Sequence, residues 1–188
     1  MSIRTLLSMT RLTSLRLPID WTIFGWPASP SLGGITLVTG DPAWGWDPSA
    51  PAFPTDVHQP PDGDDVADFT IDHVVYLVPE LEVAVATLGR AGLAPRLRMP
   101  VGGRPAAFFR AGPVLEVIET PVREGSLYGI ALSTSESLEA IAISWKALGL
   151  SVGTIKPAIQ KGRRIMTVHD LDAGFAVMSA DGAMAADG

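Results

Sequence analysis

Phe69-Thr70-Ile71-Asp72-His73-Val74-Val75-Tyr76-Leu77-Val78 is the stretch on which the fold turns. It is rich in β-branched and aromatic residues and holds no Gly or Pro, so it reads as a largely buried strand. Pro79 stops it. Pro79-Glu80 then open a helix in which Leu81, Val85 and Leu88, with Ala84 or Ala91, recur at three- and four-residue spacing, and Gly92 supplies the stop. Three short strands are expected next, over 94–99, 106–110 and 114–120, with Gly102-Gly103 and Gly112-Pro113 as turns. The order is βαβββ.

The remainder of the chain repeats that order. Residues 127–134 read as a strand, and residues 136–148 as a helix that ends at Gly149-Leu150 just as the first ends at Gly92-Leu93. Matching the helices sets Leu81-Glu82 on Leu138-Glu139 and Leu88 on Trp145. Matching the turns sets Gly103-Arg104 on Gly162-Arg163, ahead of strands over 165–169 and 175–179. The fold class is therefore α+β: two βαβββ modules, residues 68–121 and 126–181, within one domain over 68–181, followed by a disordered tail over 182–188.

Ile71-Asp72-His73-Val74-Val75, then Val78-Pro79-Glu80-Leu81-Glu82, then Leu115-Glu116-Val117-Ile118-Glu119-Thr120-Pro121 resemble the vicinal-oxygen-chelate superfamily, which includes glyoxalases, bleomycin-resistance proteins and dioxygenases. The resemblance runs from about Phe69 to Ser179. It implies a mixed sheet curled around a small-molecule cleft, with metal ligands on the first and fourth strands of each module. By that pattern His73 and Glu116 are metal ligands, and Glu116 is also the catalytic residue. One divalent cation, Zn²⁺, Ni²⁺, Mn²⁺ or Fe²⁺, suits imidazole and carboxylate donors and would polarise a substrate carbonyl. The second module departs from the pattern. Tyr128-Gly129-Ile130 stands where the family has its histidine and Ala176-Val177-Met178 where it has its glutamate, so the ligand set is incomplete. His169, Asp170, Asp172, Tyr128 or a partner chain are the conceivable substitutes.

Each site residue also has a plainer reading. His73 is either a ligand or a buried strand histidine held by hydrogen bonds. Glu116 shares one strand face with Val114 and Ile118, where an unpartnered carboxylate is expensive, so it is expected to point into a polar cleft. Arg104 and Arg163 occupy equivalent turns. They are candidates to hold a carboxylate or phosphate bidentately, against the alternative of solvated hairpin arginines. Phe108 and Tyr128 are candidate substrate-binding residues on the cleft wall. Two functions follow: a metal-assisted lyase, isomerase or dioxygenase acting on a small carbonyl or hydroxy-acid compound, or a metal-free protein that sequesters a small molecule. Without a metal, His73 and Glu116 would serve as a proton-transfer pair.

Composition narrows the rest. The chain of 188 residues is 47% hydrophobic and 18% charged with net charge −6, which reads as globular. Its basic residues are scattered, so nucleic acid is not an expected partner. There is no cysteine, which excludes thiolate ligands and nucleophiles. No run approaches the roughly 20 apolar residues of a membrane span, and cytoplasm is the default, although Arg4, Arg11 and Arg16 in an acid-free start also fit a transit peptide. Residues 1–67 are expected to be a Pro/Trp-rich, partly irregular extension in which only short pieces such as 34–39 could be strands, closed by an acidic linker at Pro60-Pro61-Asp62-Gly63-Asp64-Asp65. Its tryptophans need burial against the main domain or a partner; the alternative is a poorly ordered extension. Short edge strands, which many superfamily members bury in a dimer, make a homodimer the expected assembly.

Overall fold

The computed structural model describes residues 10–180. The tail expected over 182–188 lies outside the described residues, as do residues 1–9 of the N-terminus. In chain order the elements are β1 (Arg11–Leu17), a 3-10 turn (Trp21–Phe24), β2 (Pro30–Leu32), β3 (Ile35–Thr39), β4 (Ala43–Asp47), β5 (Asp56–Val57), β6 (Asp64–Asp65), β7 (Phe69–Val78), α1 (Leu81–Arg90), β8 (Pro95–Arg98), β9 (Ala106–Arg110), β10 (Val114–Glu119), β11 (Ser126–Thr134), α2 (Leu138–Ala147), β12 (Ser151–Val152), β13 (Lys156–Pro157), β14 (Arg164–His169) and β15 (Gly174–Ser179). They make two mixed sheets. The first has the order β5-β4-β1-β3-β2-β6; the second runs β12-β14-β15-β11-β7-β10-β9-β8, with β13 also paired to β14.

The two modules are built alike down to single hydrogen bonds. Gly92 (φ 83°) and Gly149 (φ 91°) take the left-handed conformation that ends each helix. The following leucine amide then reaches back to close it, Leu93 N–H to the Leu88 carbonyl at 2.9 Å and Leu150 N–H to the Trp145 carbonyl at 3.0 Å. Leu88 and Trp145 are thus equivalent positions, and both are buried. The helix starts differ: α2 is capped by Ser137, whose hydroxyl accepts from the Ala140 N–H, whereas α1 is capped from the sheet, Leu81 N–H donating to Glu119 Oε2 at 2.9 Å. β7 pairs with β10 in parallel and β11 with β15 in parallel, and the antiparallel β7–β11 pair joins the modules at the centre of the sheet.

The proline-rich stretch departs from expectation. The piece expected near 34–39 is β3, but instead of an irregular arm around it residues 11–65 supply all six strands of the first sheet, and the acidic Asp64–Asp65 pair lies parallel to β2. The prolines sit where no central ladder bond is lost: Pro30 opens β2, Pro42 precedes β4, and Pro48, Pro51 and Pro54 lie in the turn after it. The driving force is aromatic. Trp21, Phe24 and Trp26 pack on Phe69, Trp145 and Phe175, with Phe24 and Phe175 centroids 4.8 Å apart, while Trp44 stacks on Tyr76 at 4.8 Å. The tryptophans are therefore buried against the second sheet and its helix, and both sheets share one hydrophobic core.

Candidate functional site

Strand register defines the face that matters, because residues paired across a sheet point to the same side. On β7, Val74, Tyr76 and Val78 are buried in the aromatic core, so His73, Val75 and Leu77 face the other way. His73 lies opposite Val114, and Val75 opposite Glu116. Glu116 lies in turn opposite Phe108, and Val114 opposite Arg110. The face thus carries one cross-sheet row of Arg110, Val114, His73 and Ala131, and beside it a row of Phe108, Glu116, Val75 and Gly129.

Asp72 should by alternation point away from His73. It does not, because β7 is bulged at that residue: Ile71 pairs with Leu132 and His73 with Ala131, leaving Asp72 as the extra residue. A bulge re-aims a side chain. Asp72 and His73 are consequently bonded, Oδ2 to Nδ1 at 2.9 Å, and the opposite edge of the imidazole faces Glu116, Nε2 to Oε2 at 3.4 Å. On the far side of Asp72, Oδ1 accepts an ion pair from Arg163 at 2.6 Å. Arg163 is itself held by the Ser179 carbonyl and the Ser133 hydroxyl. A chain of four groups, Arg163, Asp72, His73 and Glu116, therefore crosses from the second module into the first.

The electrostatics follow from burial. Desolvation alone would raise the Asp72 carboxyl, but hydrogen bonds from His73 and Arg163, with the charge of both, outweigh it and hold Asp72 below the usual carboxylate range. An ionised carboxylate only accepts, so the proton of His73 sits on Nδ1 and Nε2 is left facing Glu116. Burial pushes the Glu116 carboxyl up; the charge of His73 pulls it partly down and that of Asp72 pushes it up further. Nε2 of His73 and Oε2 of Glu116 are 3.4 Å apart, within ion-pair reach.

The sequence-derived candidates divide. Glu116, His73 and Phe108 are brought together on one face. Arg163 is not a rim residue: it is only 7% exposed and binds Asp72. Arg104 is exposed at the β8–β9 hairpin and donates to the Thr120 hydroxyl, four residues along the chain from Phe108. That bond and the Arg163–Ser179 bond are module equivalents, but only Arg163 reaches the pair. Tyr128 is the extra residue of a second bulge, opposite Tyr76 and Val75; it is 54% exposed and lines a 440 Å³ cavity with Thr167, His169, Asp170 and Asp172. Asp72 was missed because alternation hides it, yet its signal was in the sequence: an Asp-His pair inside a β-branched strand demands partners.

The donor set does not fit a resident metal. Counting from His73 and Glu116 by register, the second module presents Gly129 and Ala176; Val177, read from sequence as the glutamate position, points into the core. Among the described residues no three His, Asp or Glu are grouped to hold an ion, and two donors fall short of the three or four a retained transition metal needs. Asp72 serves the other ring nitrogen of His73 and is no third donor.

No protein-family model matches the sequence, and no curated protein matches it. Solved structures do match. A hypothetical protein from Bacillus halodurans aligns with TM-score 0.50 at 16% identity, over 60% of this chain and 94% of its own. Methylmalonyl-CoA epimerase from Mycobacterium tuberculosis aligns with TM-score 0.49 at 16% identity, over 58% and 86%. The Streptomyces coelicolor methylmalonyl-CoA epimerase in complex with 2-nitronate-propionyl-CoA gives TM-score 0.49 at 18% identity, over 62% and 97%. Identities this low speak to fold alone: the chain shares with the Bacillus halodurans protein an α+β fold, here built of paired βαβββ modules.

Proposed function

We propose that residues 68–181 form a glyoxalase-like enzyme unit whose sheet curls around a cleft, and that it moves a proton on a small carbonyl or hydroxy-acid compound without a resident metal. The observation that carries this reading is the His73–Glu116 contact at 3.4 Å, with Asp72 fixing the imidazole from behind. In the productive form Glu116 is the carboxylate and His73 the imidazolium. Glu116 takes the proton from the carbon beside the carbonyl as His73 Nε2–H gives one to the carbonyl oxygen. The substrate C–H bond and the His73 N–H bond break, one O–H bond forms on Glu116 and another on the former carbonyl oxygen, and the product of the step is a neutral enol or enediol. Returning the Glu116 proton to the former carbonyl carbon of an enediol, as His73 takes back the proton of the other hydroxyl, is isomerisation; expelling a leaving group from the carbon on the far side of the deprotonated one is lyase chemistry. His73 thereby takes the electrophile's part, which in the metal-using members the cation plays. Dioxygenase chemistry has no support in this donor set.

The test is deuterium exchange in D₂O, followed by proton NMR over a panel of small 2-oxo and 2-hydroxy acids and their aldehyde counterparts. Wild type is expected to exchange the proton next to the carbonyl of at least one member, and Glu116→Gln to lose about 10²–10⁴-fold. Equal exchange in both proteins would overturn the assignment. A second reading, sequestration of an apolar ligand, is favoured by the small residues Gly129, Ala131 and Ala176 on the second module's part of the face. It predicts no exchange with any panel member and ligand binding indifferent to Glu116→Gln.

A further inference from the structure

The arginines of this chain are mostly spoken for. Arg98 and Arg164 grip Glu82 and Glu139 on the two helices, each at 2.5 Å, Arg163 holds Asp72, Arg11 pairs with Asp47, and Arg16, Arg90 and Arg104 donate to neighbouring oxygens. Three arginines, Arg96, Arg110 and Arg123, have no side-chain hydrogen bond or ion pair among the described residues, and of these Arg110, exposed at the end of β9, is the one whose strand register leads to the His73 and Glu116 face. Register puts it in the same cross-sheet row as Val114 and His73, on the Glu116 face, because Phe109 and Ala107 on either side of Phe108 are buried in the core. Its backbone stands one strand over and two residues along from Glu116. With strands about 4.8 Å apart and a rise of about 3.3 Å per residue, that is about 8 Å between Cα atoms.

We propose that Arg110 is the subsite for a carboxylate on the substrate, and that the substrate class is therefore small 2-oxo or 2-hydroxy carboxylates. This rests on the proton-transfer reading of Glu116 and His73 and adds to it. A planar guanidinium binds a carboxylate through two parallel hydrogen bonds, which fixes orientation as well as position. Backbone positions about 8 Å apart let the Arg110 guanidinium and the Glu116 carboxyl serve two ends of one small substrate. Phe108, directly opposite Glu116 on the neighbouring strand, adds an apolar ring to the same face. Arg110 also supplies a counter-charge on a face that otherwise presents a carboxylate, within a chain of net charge −6, which would repel an anion.

Binding and turnover are separable, so the probe is malonate, an inert dicarboxylate, with malonamide as its neutral counterpart, followed at fixed ionic strength by NMR shifts of the His73 ring and Phe108. Wild type is expected to bind malonate at least tenfold more tightly than malonamide. Arg110→Gln is expected to lose at least tenfold in malonate affinity, Arg110→Lys to retain part of it, and Arg123→Gln, an arginine in the β10–β11 loop, to match wild type. Equal malonate affinity in wild type and Arg110→Gln, or failure of wild type to prefer malonate over malonamide, overturns the subsite. The proton-transfer reading fails separately: Arg110-dependent malonate binding without exchange on any panel acid leaves the subsite standing and removes the enzyme.

Discussion

Glu116 is held in a buried position that costs the protein stability at neutral pH. Its folded carboxyl is raised by burial, so the native state binds the proton more tightly than the unfolded chain does. Stability from this group is full below the ordinary carboxylate range and falls as pH rises through the folded value. Glu116→Gln is accordingly expected to be more stable than wild type at pH 7, with the gap closing near pH 4, while exchange activity is lost; urea titrations at the two pH values check it. Asp72 has the opposite sign. Its carboxyl is lowered, its contribution is present above the usual range and fades on acidification, and Asp72→Asn breaks the buried Arg163–Asp72 ion pair at a cost of about 3–5 kcal/mol in denaturant unfolding. Tyr76 responds to alkali. Burial chiefly pushes its phenol to about 12 despite the 2.6 Å bond with Thr55, so native stability falls as pH climbs from about 10. In Tyr76→Phe that alkaline fall should flatten. None of these three behaviours follows from residue type alone: His73 and Glu116 were legible as a pair, but their proton depends on Asp72, which strand alternation assigns to the wrong side.

At the scale of elements, two bulges in the central β7–β11 pair shape the site. One adds Asp72 to β7 and the other adds Tyr128 to β11, so each module contributes one displaced side chain to the junction. Bulges are invisible to a period-two reading because they break the period only once. Regular features were legible in detail: helix spacing, the Gly92 and Gly149 stops and the βαβββ repeat each follow from local chemistry. The cap of α1 was not, since Glu119 lies thirty-eight residues beyond Leu81 in sequence and reaches it only through the fold. Glu119→Ala should cost about 1 kcal/mol and fray the first turn of α1, and Ser137→Ala should cost about the same in α2; amide exchange protection of Ala84 and Ile141 reports each. Loss of protection in both helices from either variant would contradict the independence of the two caps.

For the whole molecule, the first sheet is what sequence reading misjudged, because prolines spaced through residues 27–54 argue against strands unless a partner surface fixes the short pieces between them. Here the second sheet and α2 are that surface. Trp21 and Trp44 are fully buried in the shared core, so Trp21→Ala should cost about 3–5 kcal/mol and lower a single cooperative transition rather than melt the first sheet separately. The same interlocking leaves the opposite face of the second sheet to His73 and Glu116, and both modules build it: the first places His73, Glu116 and Arg110 there, and the second sets Arg163 against Asp72. The claim that ties these scales together is that this face works with two residues and no resident cation. Metal content of the purified protein by mass spectrometry, wild type beside His73→Ala and Glu116→Ala after incubation with Zn²⁺, Ni²⁺, Mn²⁺ and Fe²⁺, addresses it most directly. The account predicts far less than one ion per chain in all three proteins; near-stoichiometric metal in wild type that disappears in both variants would contradict it.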